Sequence, residues 1–160
     1  MFSRDARTAN LVGAFGLEAA TVMPAGRGAT MSALITIAAH PNRTVEELRE
    51  PLGLSQPGAA RLVQRLVDEG LVTRGGPGGR GGLRLRPTDK GRRAVDDFTE
   101  ERRAQLLELL DPLTEAERDQ LSSMLERMLA ARTESVTGAK RLCRLCERRV
   151  CERCPVARAA

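Results

Sequence analysis

Four cysteines fall close together near the C-terminal end, Cys143, Cys146, Cys151 and Cys154, spaced C-x2-C, four residues, C-x2-C. Two close pairs of thiolates supply the four soft ligands of a tetrahedral zinc site. The surrounding Arg residues favour thiolate over thiol and offset the ligand charge. Residues 139–160 hold few large apolar side chains (Leu142, Leu145, Val150 and Val156), so burial alone is not expected to fold this tail. A structural zinc would contribute on the order of 10 kcal/mol. Zn2+ is therefore the expected cofactor. The loop between the pairs is shorter than in common zinc ribbons. The Cys154-Pro155 ending also fits iron–sulfur ligand runs. Two disulfides acting as a redox switch are the third chemistry open to this spacing.

A second set of residues suits nucleic acid. The segment Gln56 to Glu69 is amphipathic: Ala59, Leu62, Val63 and Leu66 share one face, and Pro57, Arg61, Gln64, Arg65 and Asp68 share the other. The apolar face must pack inward, so the polar face points out. Gln56 suits an adenine edge and Arg61 a guanine or a phosphate. Gly58 and Ala60 are small enough for a helix backbone to approach DNA closely. The expected DNA contacts are Thr44, Ser55, Gln56, Pro57, Gly58, Arg61, Gln64 and Arg65, joined by Arg80 from a neighbouring hairpin. Other polar clusters are bland. Asp96-Asp97 and Glu100-Glu101 lie at i, i+4 beside Arg residues and read as a solvated face, and His40 beside Pro41 reads as a helix terminus.

The elements that position these residues are mostly helical. Leu11–Met23 has helical spacing at Val12, Phe15, Ala19 and Val22 and ends at Pro24 and Gly26. Met31–Ala39 is almost continuously apolar, as a buried helix is. Thr44-Val-Glu-Glu47 is a capping box opening a short helix to Leu52, with Val45, Leu48 and Leu52 inward. Gly53 permits the turn, and Ser55 caps the helix that follows. This is a helix-turn-helix, whose second helix enters the major groove in known modules. Leu71–Arg74 and Leu83–Arg86 alternate apolar and polar, as half-buried strands do. Between them Gly75–Gly82 is glycine-rich and carries Arg80. Thr88 opens a long helix to about Leu110, with Ala94, Val95, Phe98, Leu106 and Leu110 inward. A second capping box, Thr114-Glu-Ala-Glu117, opens another. That helix carries Leu121, Met124, Leu125, Met128 and Leu129, a narrow stripe suited to packing between subunits.

Composition removes several classes. With 160 residues, 41% hydrophobic and 29% charged, the chain fits one domain, or one domain with an appendage. The longest apolar run is far short of the roughly 20 residues a membrane span needs, so no membrane role is expected. No secretory leader is evident, which predicts a cytoplasmic protein. Trp and Tyr are absent and Phe occurs three times, which argues against stacking platforms for single strands. Arg74-Gly-Gly and Arg80-Gly-Gly resemble RNA-binding repeats, but only twice and without aromatics. A single His leaves little material for a nucleophile–base pair, so no enzyme is expected. The net charge of +5 is unevenly spread: +1 over residues 1–42, +5 over 43–93, −6 over 94–138 and +5 over 139–160. A basic middle beside a helix-turn-helix points to double-stranded DNA.

Leu52 through Val72, followed by a hairpin ending Leu85-Arg-Pro-Thr-Asp-Lys-Gly91, resembles the winged helix-turn-helix of MarR-family transcriptional regulators. The order of flanking helices extends the resemblance over about residues 8–135. It implies a mainly α fold with a small two-stranded β wing. Four regions follow: a dimerisation helix over 1–28, a DNA-binding lobe over 29–93, dimerisation helices over 94–138 and the Cys-rich tail over 139–160. It further implies a homodimeric repressor on a near-palindromic operator, a minor-groove contact from Arg80, and a small-molecule effector pocket between the dimer helices and the lobe. Met23 and Met31 lie near that pocket, although core packing also accounts for them. Gly78 and Gly79 stand where the family usually carries an Asp that pins the wing, so a looser wing is expected. The alternatives from other classes are a zinc-dependent protein-interaction module and a thiol-based redox sensor acting through the tail.

Overall fold

The structure, a computed structural model, describes residues 4–22, 28–75, 83–147 and Val156. It is mainly helical with one small antiparallel sheet, in the order α1 (Arg4–Thr21), α2 (Gly28–Ala39), α3 (Val45–Leu52), α4 (Gln56–Asp68), β1 (Val72–Gly75), β2 (Arg84–Pro87), α5 (Asp89–Glu108), α6 (Glu115–Ala131) and α7 (Val136–Leu142). The fold class expected from the sequence is the one observed.

Helix α2 is the centre of the core. Met31, Ala33, Leu34, Ile35 and Ile37 are buried on it, so it is apolar nearly all round. Around it pack Leu48 of α3, Leu62, Val63 and Leu66 of α4, Leu71 and Val72 at β1, Leu85 of β2 and Phe98 of α5. Each fully buried aliphatic side chain contributes about 1.5–3 kcal/mol relative to exposure. The four α4 residues expected to face inward, Ala59, Leu62, Val63 and Leu66, are all buried. Met31 belongs to this core, while Met23 lies outside the described residues.

The strands pair Val72 with Pro87, Thr73 with Arg86, Arg74 with Leu85 and Gly75 with Arg84. Both lie one residue C-terminal to the alternation read from sequence. Leu71 is already held by the turn after α4, its N–H bonding to Leu66 O at 2.9 Å. Thr88 then fastens this turn to α5. Its N–H reaches Leu71 O at 3.0 Å, its hydroxyl reaches Gly70 O at 2.7 Å, and the same hydroxyl accepts the Gly91 N–H at 3.0 Å. Gly91 is buried because α5 crosses the Leu71 backbone closely. A Cβ added there would sit 2.1 Å from Leu71 O.

Two helices lack such packing. No residue of α1 or α6 is buried, and Leu11, Val12, Phe15 and Leu17 on α1 and Met124, Leu125, Met128 and Leu129 on α6 are exposed. Helix α1 begins earlier than Leu11, at Arg4. Helix α7 has no counterpart in the sequence reading, and it runs across the boundary at 138/139. It packs on α3, with Ala139 buried. Beyond it Leu145 lies against the core and Val156 is 3% exposed, so the tail makes more apolar contact than its composition suggested.

Candidate nucleic-acid interface

The helix-turn-helix is held by local bonds. Thr44 is extended, and its hydroxyl accepts the Glu47 N–H while the Glu47 carboxylate accepts the Thr44 N–H at 2.8 Å. The Thr44 N–H holds the Glu47 carboxyl below the usual carboxylate range, against an opposing push from burial. At the far end of α3, Gly53 takes φ 65°, a left-handed conformation that suits glycine. Its N–H and that of Leu54 satisfy the Glu50 and Arg49 carbonyls. Two residues later Ser55 caps α4, accepting the Gly58 N–H at 3.3 Å.

This arrangement brings together most of the expected contact residues. Ser55, Gln56, Pro57, Arg61, Gln64 and Arg65 are exposed along the outer face of α4, with Gly58 half-buried among them. No acidic residue occupies the first turn of α4. The partial positive charge of that helix end is therefore uncompensated, a favourable setting for phosphate. Gln64 is turned along the helix, its amide donating to Asp68 Oδ1 at 2.7 Å. Thr44 stands apart: it is buried, and its hydroxyl is committed to the α3 cap. A Cβ at Gly58 would meet Ser55 Oγ at 3.1 Å, so the glycine also relieves the cap. Arg80 lies outside the described residues.

Sequence reasoning missed residues on the other side of the sheet. Asn42, at φ 71°, donates its N–H to Leu85 O at 2.9 Å, and Arg43 O accepts the Leu85 N–H at 2.9 Å. Arg84 and Arg86 both donate to Asn42, at 2.8 and 2.6 Å. Asn is among the few non-glycine residues that tolerate this φ, which was the one local signal available.

In the tail, Cys143 follows α7 and accepts the Cys146 N–H through its carbonyl at 3.1 Å. Cys143 is half-buried in a cleft with Ile35, His40, Pro51 and Lys140, and Cys146 is exposed. Among the described residues no group of three or more His, Cys, Asp or Glu is placed to hold a metal. Cys151 and Cys154 lie outside those residues. Asp96, Asp97, Glu100 and Glu101 are exposed, and Glu100 pairs with Arg103. No helix among the described residues is long and apolar enough to cross a membrane.

The sequence model of the MarR family matches residues 28–81, from α2 into the hairpin. This stretch, about a third of the chain, is similar to the MarR family. Solved structures align over a wider span than that stretch. RV1404 from Mycobacterium tuberculosis is 26% identical, with TM-score 0.64, covering 80% of this chain and 93% of its own. MepR, a transcription regulator of the Staphylococcus aureus multidrug efflux pump MepA, is 19% identical, with TM-score 0.64, covering 81% and 98%. FabT of Streptococcus pneumoniae, solved in complex with DNA, is 17% identical, with TM-score 0.61, covering 79% and 94%. No curated protein sequence matches the chain. The family match spans α2 to β1, helix-turn-helix included, and the likeness in fold extends to the helices around them.

Proposed function

We propose that this protein is a cytoplasmic transcription regulator, a repressor, that binds a near-palindromic double-stranded DNA operator as a homodimer. The observation that carries this reading is the outer face of α4. Gln56, Arg61, Gln64 and Arg65 are exposed on a helix whose N-terminal end is capped and free of acidic residues, beside a hairpin carrying exposed Arg74, Arg84 and Arg86. The similarity to the MarR family and the likeness to FabT, solved with DNA, support it. Ser55, Gln56, Pro57, Gly58 and Arg61 meet base edges or backbone. Arg65 and Gln64 lie one turn on, and Thr44 holds α3 in place. Arg80 extends the contact to the minor groove.

The exposed apolar faces of α1 and α6 support a dimer, because isolated exposed stripes of this kind are ordinarily covered by a partner. Two copies of α4 would then enter successive major grooves about 34 Å apart. A crevice between α2, α5 and the tail, walled by Ile35, Ala39, Val95 and Thr99, is where a small effector would bias the two lobes. Selection of duplexes from a randomised library by the purified protein tests the reading. It predicts an enriched inverted repeat; recovery of no sequence above background, or preference for single strands, refutes it.

A second activity rests on the tail. Helix α7 packs on α3, and the Arg103 guanidinium meets the Glu147 carboxylate at 3.1 Å, so the segment bearing Cys143 and Cys146 touches both the lobe and α5. We propose that Cys143, Cys146, Cys151 and Cys154 bind one Zn2+ and stabilise this docking. Metal analysis of protein purified without air should return one zinc per chain. Iron in its place, or a metal-free protein with the tail fully protected from proteolysis, would overturn the assignment. Oxidant-sensitive operator binding that survives zinc removal would favour the redox sensor instead.

A further inference from the structure

The base of the hairpin is fixed from an unexpected side. Strand β2 pairs with β1 along one edge. Its other edge is met by the two residues Asn42 and Arg43, which use both backbone polar groups of Leu85. Leu85 itself is fully buried, so its neighbours Arg84 and Arg86 share the opposite, exposed face. Both guanidinium groups bend to the same residue: Arg84 donates to the Asn42 carbonyl and Arg86 Nε to Asn42 Oδ1. A left-handed backbone at residue 42 makes this convergence possible, because it turns the chain leaving α2 back along β2. Asn42 thus accepts from two arginines while donating to the strand between them.

From this geometry we infer that Asn42 is a positioning residue for the DNA contact of the hairpin, acting through Arg84 and Arg86. The inference rests on the proposed DNA-binding reading. A guanidinium carries five N–H donors, so one bond to Asn42 orients Arg86 and leaves donor capacity for a phosphate oxygen. Ordering a long side chain before binding removes part of the entropy cost of that contact. Gly78 and Gly79 offer the hairpin no acidic side chain of its own, and Asn42 supplies a pin from the helix side instead.

The test uses the full chain and a fluorescein-labelled duplex selected by the wild-type protein. Glycine tolerates the left-handed φ, so Asn42→Gly removes Oδ1 while keeping the backbone clasp. Asn42→Gly should weaken binding about 3- to 10-fold and lower the salt slope by about one phosphate contact. Arg86→Ala should do the same, and the double variant should be no weaker than Arg86→Ala alone. Amide exchange at Leu85 should stay slow in Asn42→Gly, which separates the effect from loss of the fold. Wild-type affinity for Asn42→Gly, or losses that add in full in the double variant, would overturn the inference. Failure of the wild-type protein to select any duplex would instead strike the DNA-binding reading.

Discussion

Gly91→Ala is the sharpest test of how the helix-turn-helix is locked to α5. On an exposed helical position this change stabilises by about 1 kcal/mol, because alanine has the better helix propensity. Here the added Cβ would lie 2.1 Å from Leu71 O, 3.0 Å from Leu71 C and 3.4 Å from Leu34 Cδ1. Ordinary contact starts near 3.4 Å, so the two backbones must part by about 1.3 Å. Leu71 O accepts from Thr88 N and Thr88 Oγ1, at 3.0 and 3.2 Å, and Thr88 caps α5. Each such bond is worth about 0.5–1.5 kcal/mol net, and overpacking of a tight site about 1–3 kcal/mol. Set against the propensity gain, the expected destabilisation is about 2–3 kcal/mol, or roughly 5–10 °C in midpoint for a chain of this size. Urea unfolding followed by circular dichroism, at one fixed protein concentration because the proposed dimer would couple to stability, measures it. A Gly91→Ala protein as stable as wild type, or more so, would refute the close crossing of α5 over Leu71.

Three further outcomes follow from the same geometry. Glu47→Ala should remove the α3 capping box and cost about 1 kcal/mol at neutral pH. The folded protein holds the Glu47 carboxyl low, so this contribution is present above the unfolded carboxylate range, near pH 4.3, and fades as pH falls through the lower folded value; thermal melts of both proteins from neutral to acid pH should converge. Phe15→Glu with Met128→Glu should shift the protein to monomer in light scattering without loss of helicity, since both side chains are already exposed in one chain. Arg103→Ala should leave α4 intact and speed proteolysis of the tail, because it removes the ion pair to Glu147.

What could be read from the sequence divides by the range of the forces involved. Both capping boxes, the Ser55 cap and the inner face of α4 were legible, because their partners lie within four residues. The stripe on α6 was legible as a repeat of apolar spacing, and it is exposed in the single chain. Asn42 was not legible: its partners Arg84 and Arg86 lie 42 and 44 residues away. Gly91 looked like part of a helix start, and only the crossing over Leu71 gives it a reason. Among the described side chains of helix α7 Ala139 alone is buried, and no apolar period announces the helix. The cysteines begin just after it, with Cys143 as its C-cap. Thr44 shows the converse error of emphasis: a residue read as a cap and a DNA contact is buried in the cap.

The central claim is that α4 reads DNA, and Arg61 tests it most directly. Affinities of wild-type and Arg61→Ala protein should be measured on the selected duplex and on a set of its single-base variants. The account predicts a loss of about 1–3 kcal/mol on the selected duplex, with preference relaxed at one position in each half-site. Equal affinity of the two proteins across the whole set would contradict it.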